Sequence, residues 1–156
     1  PPAIHPVARQ SGIMVYSASF SAIFAADQFM NAFDPARVPY VSLTTYRKTG
    51  AAVSTPVWIA ELDGLYYVFS AASAGKVKRL HNNDQVSLAV CNYSGKLAAG
   101  AALQGSARIV TDPDLLKGVY GRFVAKYGWQ FRLTNLLSRL AGRINQRAMI
   151  EIAIPA

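Results

Sequence analysis

At 156 residues the chain is sized for one domain, large enough to bury a core without help from a metal or a disulfide. Its 52% hydrophobic and 15% charged residues are apolar enough that a subunit interface is expected, and the single cysteine, Cys91, excludes an intrachain disulfide and fits a cytoplasmic setting. The formal net charge of +8 calls for an anionic partner, but the cations fall in separate clusters at Lys76–Arg79 and Arg132–Arg147 with no groove-reading motif, which argues against nucleic acid.

In chain order, residues 1–26 read as an N-terminal extension and residues 27–156 as the main domain. Pro1 to Pro6 cannot start a regular helix. The run Gly12–Ala26, preceded by Arg9, has the outline of a signal peptide. Its serines dilute the apolar core, and it is too short and too polar to span a bilayer, so no stable membrane insertion is expected. A helix or strand packed on a neighbouring subunit is the expectation. Phe29, Met30 and Phe33 mark one face of a short helix that ends at Asp34-Pro35.

A β-hairpin follows. Tyr40–Tyr46 is β-branched and aromatic, Arg47–Gly50 turns, and Ala52–Ile59 returns. Glu61–Gly64 turns again into Leu65–Ser70, and the small-residue loop Ala71–Gly75 leads into a short helix over Val77–Asn82. Gln85–Asn92 alternates, with Val86, Leu88 and Val90 on one side. Leu103–Val110 continues the sheet. The strongest helix is Asp112–Tyr127, with Asp112 at the N-cap, Pro113 at the first helical position and Gly128 beyond the end. A second helix spans Gln130–Leu140, with leucines opposite Arg132 and Arg139, and Ala148–Ile154 closes the chain as a strand. Six or seven short antiparallel strands with late, peripheral helices predict an α+β protein built on a barrel.

Most catalytic chemistries are missing from the sequence. His5 and His81 with one cysteine supply no standard zinc arrangement, so no metal site is predicted. Cys91 lies mid-strand, where a buried small hydrophobe is expected. No Gly-x-Ser-x-Gly elbow, Gly-x-Gly-x-x-Gly fingerprint or Walker loop is present. Asp63, Asp84, Asp112 and Asp114 sit at predicted turns or caps. A bound cofactor that carries its own redox chemistry fits such a chain, since it asks the protein only for binding, orientation and electrostatics. The cations Lys76, Lys78 and Arg79, just after a small-residue loop, form a candidate anion cradle.

Three stretches, Tyr40-Val-Ser-Leu-Thr-Thr-Tyr-Arg-Lys-Thr-Gly50, Val53-Ser-Thr-Pro-Val-Trp58 and Gly75-Lys-Val-Lys-Arg-Leu-His-Asn-Asn83, together resemble the pyridoxamine-phosphate-oxidase-like split β-barrel superfamily. Within it the chain is most similar to the branch regarded as oxidoreductases using the deazaflavin coenzyme F-420. The resemblance implies an FMN-binding-like split β-barrel, a homodimer, and hydride transfer to a small conjugated organic substrate. FMN is the alternative cofactor, and a non-catalytic flavin- or haem-binding protein is the alternative role. By the same resemblance the ring lies along Val53–Trp58, with backbone groups of Thr55, Pro56 and Val57 at its pyrimidine edge and Trp58 stacking or filling the barrel. The phosphate-bearing tail reaches Ser73 and Lys76, with Lys78 or Arg79 nearby. Gln104 and Arg108 approach from across the dimer, and Arg147 completes an anionic pocket. Arg132, Arg139 and Arg143 offer either a seat for an acidic tail or an amphipathic surface helix. Where oxidase relatives have an arginine before the matching lysine, this chain has Gly75, which counts toward the deazaflavin. No side chain is assigned as catalytic, although Tyr46 or an ordered water is placed to protonate the product.

Overall fold

The computed structural model describes residues 38–98, 100 and 102–155. The predicted extension over 1–26 and the short helix around Phe29–Phe33 lie outside these residues. Among the described residues there are seven strands: β1 (Val41–Tyr46), β2 (Ala52–Val57), β3 (Ala60–Leu62), β4 (Leu65–Ala71), β5 (Gln85–Val90), β6 (Leu103–Val110) and β7 (Arg147–Ala153). The same residues form three helices, α1 (Gly75–Leu80), α2 (Pro113–Tyr127) and α3 (Trp129–Leu140), and a 3₁₀ turn at Ile144–Gln146.

All strand pairs are antiparallel, and the spatial order is β2-β1-β5-β6-β7-β4-β3. The two edge strands, β2 and β3, are separated in the chain by only Trp58 and Ile59. From Val57 to Ala60 the chain takes three residue steps, at most about 11 Å, whereas a flat seven-stranded sheet is roughly 28 Å wide from edge to edge. The sheet therefore curls until its edges nearly meet, giving the half-barrel of a split-barrel fold. Pro56 is tolerated in β2 because an edge strand needs fewer ladder donors.

Alternation along the strands sorts the side chains into two cores. Val41, Leu43, Val57, Ile59, Val68, Val86, Leu88, Ile150 and Ile152 fill the barrel, and Val77 and Leu80 of α1 pack against them. Tyr67 and Met149, on the opposite face of β4 and β7, meet Val119, Phe123, Tyr127 and Phe131 from α2 and α3. Glu151 is buried yet paired: its carboxylate accepts from the Tyr67 hydroxyl at 3.1 Å and from Arg108 Nε at 2.6 Å. Gly105 in β6 is required by close approach, since a Cβ there would lie 2.3 Å from the Ala153 carbonyl oxygen. Among the described residues no helix is long and apolar enough to cross a membrane.

Local signals explain the elements. Asp112 Oδ1 accepts from the backbone N–H groups of Asp114 and Leu115, both at 2.9 Å, and Pro113 begins α2. Asp63 and Gly64 both take positive φ in the two-residue turn between β3 and β4, the backbone twist that tight hairpins favour. The structure alters one reading: the predicted return strand Ala52–Ile59 ends at Val57, and the chain re-enters the sheet at its other edge as β3.

Candidate functional site

The curl leaves a cleft of about 650 Å³ where the end of β2, the end of β4, the start of α1, the inner side of α3 and the chain entering β7 converge. Pro56, Val57, Trp58 and Phe69 make its apolar wall. Ser70, Ser73, Thr134, Ser138 and Gln146 contribute neutral polar groups, and Lys76, Arg143 and Arg147 contribute charge. No carboxylate lines it, and none of its three cations has an ion-pair partner among the described residues. An aromatic wall facing uncompensated cations suits a planar, anionic ligand.

The apolar wall is held from behind. Trp58 stacks on Tyr127 with ring centroids 4.5 Å apart and 11° between planes, and meets Phe69 edge-on at 6.2 Å. The Tyr127 hydroxyl accepts from the Ile59 N–H at 3.0 Å and donates toward the carbonyls of Pro39 at 2.8 Å and Ile59 at 3.1 Å. Burial pushes the Tyr127 pKa up to about 12. This hydroxyl pins the two-residue crossing from one sheet edge to the other, and so fixes the position of Trp58.

The charged side is built from two elements. Lys76 stands in the first turn of α1, where burial, and then the neighbouring Arg79, lower its pKa. An ammonium made less comfortable by desolvation and a like charge gains from any anion that arrives. Arg147 is anchored to α3: its guanidinium donates to Asn135 Oδ1, to Ser138 Oγ at 2.6 Å and to the Thr134 carbonyl at 3.3 Å, while lying 5.0 Å over the Phe69 ring. Arg143 reaches the cleft from the loop after α3.

Of the sequence-predicted residues, Pro56, Val57, Trp58, Ser73, Lys76 and Arg147 come together in this cleft. Thr55 does not line it, and sits opposite Leu43 in the β1–β2 ladder. Lys78 is exposed on α1 and also does not line it. Arg79 turns back to donate from Nε to Thr45 Oγ1 at 2.8 Å, over Gly75, where a Cβ would meet its Nη1 at 2.9 Å. Gly75 thus makes room for Arg79. Gln104 is exposed on β6 opposite Ser87, outside the cleft, and Arg108 is engaged with Glu151. Sequence reading missed Phe69, Ser70, Thr134, Ser138 and Gln146. The only trace of the α3 pair was two hydroxyl residues four apart on the face opposite the leucines. His81 lines a separate hollow of about 310 Å³, together with Arg147, Tyr120 and Met149.

A family model described as pyridoxamine 5'-phosphate oxidase matches residues 26–155. The chain belongs to that family. No curated protein sequence matches it. Among solved structures, the pyridoxamine 5'-phosphate oxidase-like fold of this chain is similar to a conserved hypothetical protein of Mycobacterium tuberculosis, with 18% identity and a TM-score of 0.61 over 96% of this chain and 87% of that one. HutZ, a haem storage protein of Vibrio cholerae, gives 14% identity and a TM-score of 0.59 over 84% of this chain and 88% of its own. An FAD-binding protein of Mesorhizobium loti gives 13% identity and 0.53 over 86% and 88%. At such identities the likeness bears on the fold alone.

Proposed function

We propose that this protein is an oxidoreductase that holds the deazaflavin coenzyme F-420 in the cleft and passes hydride to a small conjugated organic acceptor. The observation that carries the reading is the donor set among the described residues: three cations, neutral hydroxyls and an aromatic wall, with no carboxylate. It fits a ring cofactor bearing phosphate and further negative charge. When bound, that cofactor supplies the hydride. The protein's own part is to seat the ring against Trp58 and Phe69, hold the phosphate near Ser73 and Lys76, and draw an acidic tail toward Arg143 and Arg147. Exposed charges more than about 8–10 Å apart are screened from one another at physiological salt, so a single terminal phosphate gains only from the cations next to it. A longer, multiply charged ligand touches several of them.

FMN is the second reading, favoured by Ser73 and Lys76 lining the same cleft, a hydroxyl and an ammonium that suit one phosphate. Haem is less well matched, because among the described residues no His, Cys, Met or Tyr lines the cleft to serve as an axial ligand. Because Gln104 lies outside the cleft of its own chain, a role for it at the ligand requires a second copy, and we propose a two-fold dimer on that basis. Fluorescence titration with F-420 and with FMN, each at low and high salt, tests the cofactor. F-420 is expected to bind tighter, with a preference that shrinks as salt rises or the polyglutamate tail is shortened. Equal or stronger FMN binding at low salt would overturn the choice of deazaflavin.

A further inference from the structure

Helix α3 has two faces, and the cleft uses only one of them. Its inner face carries fully buried Phe131 together with Thr134, Asn135 and Ser138, which hold Arg147. Its outer face carries Trp129, Leu133, Leu136, Leu137 and Leu140, which are 71, 45, 53, 57 and 77% exposed. At 100° per residue these five fall within a third of a turn, a continuous apolar stripe along a helix about 18 Å long. Arg132 and Arg139, both exposed, lie along one flank of that stripe and not opposite the leucines as the sequence reading placed them. From Leu115 to Ile150 the sequence contains no Asp or Glu, yet it contains Lys117, Arg122, Lys126, Arg132, Arg139, Arg143 and Arg147.

We infer that this outer face of α3 docks the protein on an anionic lipid surface, with the leucine stripe at the acyl boundary and the flanking arginines at the headgroups. A tryptophan and leucines on one face with arginines beside them is the arrangement that lies in the plane of a membrane interface. Long arginine side chains reach outward to phosphates while their stems cover apolar surface. A second copy of the chain is a poorer occupant. An antiparallel two-fold contact of α3 on itself sets Arg132 and Arg139 against like charges, and from Leu115 to Ile150 the sequence offers no carboxylate to neutralise them. The stripe is separate from the cleft, so the inference stands apart from the choice of cofactor.

The test is co-sedimentation of the full chain with mixed phosphatidylcholine–phosphatidylglycerol vesicles and with pure phosphatidylcholine vesicles. The wild type is expected to bind the mixed vesicles, with a blue shift of Trp129 fluorescence that is absent in Trp129→Phe. Binding to neutral vesicles is expected to be weak. Arg132→Gln with Arg139→Gln should lower the affinity about 30-fold, from roughly a fivefold factor per basic residue at an anionic surface. Leu136→Glu with Leu140→Glu should lower it by about tenfold or more. Both pairs lie on exposed positions, and an unchanged thermal midpoint for each double variant checks that the fold is intact. Vesicle binding by the leucine variant equal to that of the wild type would overturn the inference, as would equal binding to neutral vesicles. A change in sedimentation coefficient caused by the leucine variant without lipid would overturn it too, by identifying the stripe as a subunit contact.

Discussion

Tyr127→Phe removes one oxygen and leaves the stacked ring in place, so it isolates the hydroxyl that pins the barrel's crossing. In the wild type that oxygen accepts from the Ile59 N–H at 3.0 Å and donates its one proton toward Pro39 at 2.8 Å and Ile59 at 3.1 Å. The Ile59 carbonyl keeps a partner in the variant, because Lys126 Nζ donates to it at 2.8 Å. The Ile59 N–H does not, and Ile59 is fully buried. Orphaning a buried backbone donor costs about 1–3 kcal/mol. For a chain of this length that corresponds to a fall in thermal midpoint of roughly 2–12 °C. Urea denaturation followed by tryptophan fluorescence reads the effect, since Trp58 stacks directly on this ring. A loss below about 0.5 kcal/mol, within the ordinary scatter of surface substitutions, would refute the assignment of the hydroxyl as the pin.

Two further outcomes follow from the same geometry. Burial raises Tyr127 to about 12, and burial with the Glu151 hydrogen bond does the same for Tyr67. A proton held more tightly in the folded state gives stability that is complete below pH 10 and lost as pH rises toward 12. Denaturation midpoints should therefore fall across that window, and Tyr127→Phe should flatten the fall; a fall as steep in the variant would contradict this. Arg147→Lys keeps the charge but loses the planar fork that holds Asn135, Thr134 and Ser138. It should cost about 1–3 kcal/mol and speed hydrogen exchange in residues 129–140 selectively, and uniform exchange along the chain would argue that Arg147 does not anchor α3.

Much of the fold was legible because it was locally determined. The Asp112 cap, Pro113 and Gly128 delimit α2 by their own chemistry, and the alternation of Val86, Leu88 and Val90 marks β5 and its interior side. The bend after Val57 was not legible. A run of β-forming residues through Ile59 looks like one strand, and its division between two sheet edges depends on Tyr127, distant in sequence, reaching back to Ile59. The cleft divides in the same way. Pro56, Val57, Trp58, Ser73 and Lys76 lie near or in the recognisable stretches, whereas Thr134 and Ser138 come from α3, distant in sequence, which buried Phe131 and the hydrogen bonds of Arg147 hold against the cleft. Gly75 signalled a departure, but only its packing against the Arg79 guanidinium explains it.

The central claim is that the cleft binds an anion through Lys76, and affinity of the Lys76→Ala variant tests it most directly. Coenzyme F-420 is titrated by fluorescence into wild type, Lys76→Ala and Lys78→Ala at one salt concentration. Lys78 is the matched control, a cation two residues away that does not line the cleft. Loss of a charge-assisted hydrogen bond of about 1.5–3 kcal/mol predicts a weakening of roughly 10- to 150-fold for Lys76→Ala. Lys78→Ala should change affinity less than about threefold, since an exposed charge near a ligand contributes under about 1 kcal/mol. Unchanged affinity in Lys76→Ala, or equal losses in both variants, would mean that the cluster acts as a diffuse surface charge and that the cleft is not the site.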